Sequence, residues 1–229
     1  MTPMLDIGEM LLSDTEHQHD YFFLPSLKNM TRIGAATEIV EIYAVLNGSE
    51  LNQVLTPVIN ANLSASLMPS KAIKQCSEHI LATAIRVIEA CCDSPVTDLI
   101  GEFKGWRNCI VYRPGKISKE KIIIIARELI EHGVIGKAKI RKLQKNESKN
   151  DYSSEFNAMD YINSARIHFN MSRAEAERLT MTEFQLLLKA KYPEEKGFTR
   201  EEYDEIMDAD DRLQERLIAE EEARLAKNV

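Results

Sequence analysis

The chain has 229 residues, of which 44% are hydrophobic and 28% are charged, and its formal net charge is −7. This length suits one large domain or two small ones, and the composition is typical of a globular protein. The longest uninterrupted apolar run, Ile122 to Ala126, is five residues long, so we predict no transmembrane helix, which needs about 20.

The beginning of the chain and its cysteines indicate a cytoplasmic protein. The first twelve residues have no basic leader, and Asp6 and Glu9 interrupt their apolar residues, so we expect no signal peptide. Cys91 and Cys92 are adjacent, a geometry that does not readily form an ordinary disulfide. We therefore expect reduced, mostly buried thiols without metal-binding spacing, at Cys76, Cys91, Cys92 and Cys109.

The charge is unevenly distributed along the chain. From Glu147 onward there are 20 acidic and 12 basic residues, whereas the preceding residues are almost balanced. We therefore expect a nearly neutral body followed by an acidic tail region.

The N-terminal residues show a β-hairpin pattern. Met4–Leu12 and Tyr21–Leu24 are predicted strands, and the polar residues Ser13–Asp20 connect them. His17 and His19 lie in this loop beside acidic residues, but no second pair of ligands accompanies them. We interpret the loop as a solvated hairpin tip and predict neither a metal site nor a cofactor.

Helical patterns follow the hairpin. Thr37 is predicted to cap a helix that ends at Gly48, and a shorter helix from about Ser49 is expected to break or kink at Pro57. The longest helix is predicted over Lys71–Cys92. Its apolar stripe is broad enough for the central core helix: Ile73, Ile80, Ala84, Val87 and Cys91.

A second hairpin and a further helix are predicted in the middle of the chain. Leu99–Tyr112 contains two short extended runs, which could pair with the N-terminal hairpin in a minor sheet. Ser118 is expected to cap a helix over Lys119–His132, and Gly133 to end it.

The one basic cluster, Gly136–Lys145, has the sequence GKAKIRKLQK. As a helix it could contact phosphates. It lacks interleaved aromatic residues and a known DNA-binding motif, and the chain as a whole is acidic. A solvated helix face, or one that meets an acidic protein partner, is therefore the preferred interpretation of its basic residues: Lys137, Lys139, Arg141, Lys142 and Lys145.

The polar, turn-rich segment Asn146–Ser154 is predicted to be a mobile linker. We therefore expect three parts: a mainly helical N-terminal domain with β-hairpins (1–146), a C-terminal helical module (152–207) and a charged helical or disordered tail (208–229). The first helix of the module is predicted over Glu155–Phe169, with Phe156, Met159 and Ile162 among its inward residues. The predicted fold class is mainly α, multi-helical, with a small β-hairpin or minor sheet in the N-terminal part.

Three capping-box signatures follow this helix: Ser172–Glu175, Thr180–Glu183 and Thr199–Glu202. In a capping box a hydroxyl accepts a hydrogen bond from the backbone three residues on, and the acidic side chain reaches back. We therefore predict short helices joined by tight corners. The acidic run Asp208–Asp211 lacks the glycine that a calcium loop requires, so no calcium site is predicted.

The helix after Thr180 has an apolar face that contains Met181, Phe184, Leu187 and Leu188. The core of a small helical unit would explain this stripe. Alternatively, part of it is a docking face for another helix.

This region also resembles a known family. Residues 168–191, HFNMSRAEAERLTMTEFQLLLKAK, resemble the helical module of tail assembly chaperones from long-tailed bacteriophages, in which a helix and a short link precede an (L/M)T-x-x-EF helix. The chain as a whole, including MTPMLDIGEMLL, NMTRIG, EACCD and GFTREEYDEIMDADD, resembles an uncharacterised family of phage proteins usually found among tail genes.

The resemblance implies a protein of the host cytoplasm that binds other tail proteins during virion morphogenesis and is absent from the finished particle. The implied clients are the tape-measure protein, the tail tube protein, or both. The candidate client-binding residues are Met181, Phe184, Leu187 and Leu188. Self-assembly into rings or helices would also suit such modules.

Two other functions are alternatives to the chaperone. One is a structural tail or head–tail component that stays in the virion, and the other is a nucleic-acid-binding protein that uses residues 113–145. We expect no enzyme and no catalytic residues, because the sequence shows no phosphate-binding glycine loop, nucleophile elbow, zinc-protease pair or dinucleotide fingerprint.

Overall fold

The computed structural model describes residues 2–16, 18–60, 70–106, 109–138 and 154–192, together with Met207. The chain divides into two compact units, Met1–Tyr192 and Pro193–Val229. Met207 is the one described residue of the second unit, so the architecture below is that of the first.

The first unit is mainly helical, as predicted. Its described residues form a 3-10 turn and four strands: Leu5–Ile7, β1 (Met10–Asp14), β2 (His19–Phe23), β3 (Glu102–Trp106) and β4 (Cys109–Arg113). The helices are α1 (Leu27–Thr31), α2 (Ala36–Leu46), α3 (Ser49–Asn60), α4 (Ser70–Cys91), α5 (Thr97–Ile100), α6 (Lys119–Ile130), α7 (Ala158–Phe169), α8 (Arg173–Arg178) and α9 (Met181–Lys191).

The N-terminal hairpin forms, but its first strand begins later than predicted. β1 pairs antiparallel with β2, with Met10 opposite Phe23. Before β1 the chain closes a tight turn, in which the Glu9 carboxylate accepts a hydrogen bond from the Met4 backbone N–H at 3.1 Å. Gly8 ends this turn with a φ of 91°, a left-handed conformation that favours glycine.

The two hairpins do not join in one sheet, so that prediction is wrong. β3 pairs with β4, and each hairpin is a separate two-stranded sheet. The end of β2 is instead attached to the end of α4, because Phe23 forms a β-bridge with Cys92 and the Leu24 N–H donates to the Cys91 carbonyl.

Helix α4 is the centre of the core, as the sequence predicts. It packs mainly against α6, and α1, α2 and α3 also contact it. Ala84, Val87 and Ile88 of α4 are completely buried. The facing side of α6 is buried to the same degree, at Ile122, Ala126, Leu129 and Ile130.

The helix that begins with α6 continues past Gly133, where its end was predicted. Glu131–Ile135 forms a π-helical turn, and Gly136, with a φ of 82°, ends it. Gly133 has a packing role, since a Cβ atom there would lie 2.5 Å from the Met30 sulfur.

The sequence predicted separate parts over 1–146 and 152–207, whereas residues 154–192 belong to the same compact unit as the residues before them. Helices α7, α8 and α9 pack on α1 and on the π-helical turn. Backbone hydrogen bonds reinforce this packing, from Leu27 N–H to the Leu179 carbonyl at 2.8 Å and from Phe156 N–H to the Ala36 carbonyl at 3.0 Å. The apolar face of the predicted module is therefore part of the common core.

Several sequence predictions fall on residues outside the described ranges, namely the linker, the third capping box and the charged tail. Met159 of α7 was predicted to face inward but is 42% exposed, whereas Phe156, just before α7, and Ile162 are buried as expected. None of the described helices is long and apolar enough to cross a membrane.

Candidate docking site

Two of the predicted capping signatures shape the corner between α8 and α9. Ser172 and Glu175 form both hydrogen bonds of a capping box, and Glu175 Oε2 accepts from the Ser172 N–H at 2.8 Å. At the start of α9, the Thr180 hydroxyl accepts from the Glu183 N–H at 3.1 Å. These bonds satisfy helix-start N–H groups and set the direction in which each helix leaves the corner.

The candidate client-binding residues lie mostly inside the protein. Met181 and Phe184 are only 3% and 5% exposed. The Phe184 ring meets those of Tyr161 and Phe169 edge-on, with centroids 5.8 and 6.1 Å apart. Leu187 and Leu188 are partly buried against the same core. In this conformation the first half of the stripe is core, and a partner does not reach it.

Apolar side chains are also exposed on the outer side of α7 and α9 and at Tyr192, which follows α9. Ile167 is 79% exposed, and Leu186 and Tyr192 are 42% and 54% exposed. Leu186 lies next to the predicted stripe in sequence but about 100° around the helix from Leu187.

The basic cluster is only partly described. Lys137 makes ion pairs with Glu128 and Glu131, with nitrogen–oxygen distances of 2.5 and 2.9 Å. Its backbone N–H donates to the Thr182 hydroxyl at 3.0 Å. Lys137 is thus engaged within the fold, while the other four predicted basic residues, Lys139, Arg141, Lys142 and Lys145, lie outside the described ranges.

A groove of about 470 Å³ lies between the N-terminal turn and the α8–α9 corner. Its apolar walls come from separate parts of the sequence: Met4, Ile7, Leu24, Met171 and Leu179. The carboxylates of Glu9, Glu175 and Glu183 and the guanidinium of Arg178 complete it. The sequence did not predict this groove, because a strand over Met4–Leu12 does not place Glu9 beside Glu183.

A second, more polar cavity of about 330 Å³ lies beside α2, α3 and α4. His79 Nδ1 lies 2.9 Å from Glu50 Oε2, and an Arg86–Glu38 ion pair lines the same cavity. Both pairs are substantially exposed, so we interpret them as surface ion pairs that link neighbouring helices. The described residues contain no group of three or more histidine, cysteine or acidic side chains placed to hold a metal.

Comparison with known proteins identifies a family. The model of a family of unknown function (DUF6246) matches residues 23–205. The matched range contains α1 to α9 and the α8–α9 wall of the groove, but not the N-terminal turn. No curated protein and no solved structure matches the chain.

Proposed function

The chain belongs to the family of unknown function DUF6246, and we propose that it is a tail assembly chaperone of a long-tailed bacteriophage. In this proposal it acts in the host cytoplasm and binds the tape-measure protein, the tail tube protein, or both, without catalysing a reaction. The sequence resemblance of residues 168–191 to the helical module of such chaperones supports it.

The observation that carries the proposal is the groove beside the α8–α9 corner. The residues that resemble the chaperone module form the end of α7, all of α8 and α9, and one wall of this groove. An open apolar groove beside short helices suits the binding of a helical or extended segment of another protein. A client held in this way would keep its apolar side chains out of water until assembly.

Co-expression with each candidate client tests the proposal. We expect the tagged protein to retain the tape-measure or tube protein on an affinity column and to increase its soluble fraction. Mass spectrometry of purified particles should not detect the protein. Its presence there in a fixed copy number would instead establish a structural tail component.

A nucleic-acid-binding function is less well supported, because Lys137 is already paired with two glutamates. A gel-shift titration at several salt concentrations is the corresponding check. Strong, salt-dependent binding to DNA or RNA would favour that function over the chaperone.

A further inference from the structure

Glu9 is an unusually buried carboxylate in the groove. The residue is only 6% exposed, yet among the described residues it has no cationic partner within ion-pair distance. The one hydrogen bond to its carboxylate within the described residues comes from the Met4 N–H, to Oε2. A buried carboxylate with so few partners is costly, because it has given up most of its hydration.

Glu183 adds a second carboxylate at the base of α9. Its side chain has no ion pair among the residues that the structure describes. Burial raises the pKa of Glu183 above its ordinary value. A hydrogen bond from the Thr180 backbone opposes this increase, and the negative charge of Glu9 adds to it. The Glu9 carboxylate therefore makes that of Glu183 more costly to keep ionised.

The other charged groups of the groove, Glu175 and Arg178, do not neutralise the carboxylates of Glu9 and Glu183. Glu175 is held in the capping box with Ser172. Arg178 is exposed and makes no ion pair with the carboxylates of the groove. The groove thus contains three carboxylates and one guanidinium, and Glu9 and Glu183 carry its two most buried carboxylates.

The apolar walls of the groove indicate that a ligand must bring apolar side chains as well as a positive charge. Met4 is 61% exposed, and the adjacent Leu5 is 68% exposed, so the rim presents apolar surface to water. Met4 and Met171 are unbranched and adaptable, a property that suits surfaces which accept varied apolar side chains. A small polar cation alone would leave this surface uncovered.

We propose that the groove binds a segment of a partner protein in which a lysine or arginine is flanked by apolar side chains, with the cationic group placed between Glu9 and Glu183. The apolar neighbours would cover Met4, Ile7 and Met171. This inference rests on the proposed function, since it specifies the chemistry of the client segment.

Three fluorescein-labelled 14-residue peptides test the inference with the full-length protein. A leucine–lysine amphipathic peptide combines both features, whereas a leucine–glutamine peptide lacks the charge and a serine–lysine peptide lacks the apolar side chains. By fluorescence anisotropy, we expect the first to bind at least 10-fold more tightly than either control. If either control peptide binds as tightly as the leucine–lysine peptide, the inference is wrong. It is also wrong if none of the three peptides binds.

Matched variants locate the binding. Glu9→Gln/Glu183→Gln should weaken the leucine–lysine complex at least 10-fold, whereas Glu41→Gln/Glu78→Gln, which removes the same charge from exposed positions elsewhere, should not. If the groove double variant melts at a lower temperature than the wild type, Glu183→Lys alone provides the same comparison at a half-buried position. An equal loss in groove and control variants would show attraction by bulk charge and contradict the inference.

Competition with spermine separates a protein segment from a small cation. Spermine should displace the peptide only at concentrations far above the peptide dissociation constant, and displacement at a similar concentration would overturn the inference. Peptide binding in the groove without retention of either tail protein would leave the groove assignment standing and contradict the chaperone function. If the groove variants still retain the client, the chaperone function would stand and the groove assignment would be contradicted.

Discussion

His132 and Thr182 are joined by a buried hydrogen bond of 2.8 Å between Nδ1 and Oγ1. The bond links the π-helical turn after α6 to the first turn of α9, across 50 positions of sequence. Thr182 Oγ1 also accepts the Lys137 N–H, so its own hydrogen is available to donate to His132 Nδ1. A neutral His132 with its proton on Nε2 fits this arrangement, because Nδ1 then accepts from the Thr182 hydroxyl.

Acidification should therefore weaken the attachment of α9. Burial lowers the pKa of His132 below its ordinary 6.5, and Lys137 acts in the same direction, against the nearby carboxylates of Glu128, Glu131 and Asp6. The unfolded chain then binds more protons than the folded one, so stability is retained above pH 6.5 and falls as the pH decreases below it. Denaturant unfolding between pH 7.5 and 5 should show this decrease.

His132→Gln supplies the comparison for that prediction. The variant should be less stable at pH 7.5, because the buried histidine contact is lost. Glutamine does not bind a proton in this range, so the variant should lose less stability than the wild type between pH 7.5 and 5. The raised pKa of Glu183 has the opposite effect, because it favours the folded state on acidification, and it remains in both proteins. Parallel curves for wild type and His132→Gln would contradict the assignment.

Phe184→Ala should destabilise the first unit by about 3–5 kcal/mol, because it removes a buried ring from the aromatic cluster with Tyr161 and Phe169. Leu186→Ala, on the exposed side of the same helix, should cost less than about 1 kcal/mol. Urea unfolding measures both changes. If the Phe184→Ala protein is as stable as the wild type but no longer binds a client, Phe184 is a client-binding residue rather than a core residue.

The parts of this fold that local sequence determines were predictable. The capping box at Ser172 and the long apolar period of α4 depend on residues within a few turns of one another. Helices α1 and α5 are only five and four residues long, too short to show a helical period, and were missed.

Long-range packing was not predictable in the same way. The polar segment Asn146–Ser154 has linker composition, but the partners of α7 and α9 are α1 and the π-helical turn, more than 40 positions earlier in the chain. The groove depends on long-range packing too, because Glu9 and Glu183 line the same groove only when α9 is packed in place. No local pattern contains that information.

Gly133→Ala should test the packing between the π-helical turn and α1. The added Cβ would lie 2.5 Å from the sulfur of Met30, so the end of this fully buried side chain would have to shift. We expect a loss of about 1–3 kcal/mol from overpacking. Gly105→Ala, where a Cβ would meet nothing within 4 Å, is the matched control and should change stability much less. Equal thermal shifts for the two variants would contradict a packing role for Gly133.

A chain cut between residues 146 and 152 should remain assembled. If a specific protease site is inserted there, cleavage yields one fragment with α1 to α6 and another with α7 to α9. The second fragment contributes apolar side chains to the common core, including Phe156, Ile162, Leu179, Met181 and Phe184. Burial of each large side chain is worth about 1.5–3 kcal/mol, which offsets the loss of the covalent link.

The cut protein should therefore elute from a size-exclusion column at the volume of the intact chain, with both fragments in one peak at micromolar concentration. Phe184→Ala in the cut protein should release the fragments or broaden the peak, because part of the joint core is then missing. Two separate peaks, with the first fragment melting at the temperature of the intact protein, would restore the division into independent domains. That outcome would also remove the α9 wall from the groove and leave Glu9 exposed in the isolated first fragment.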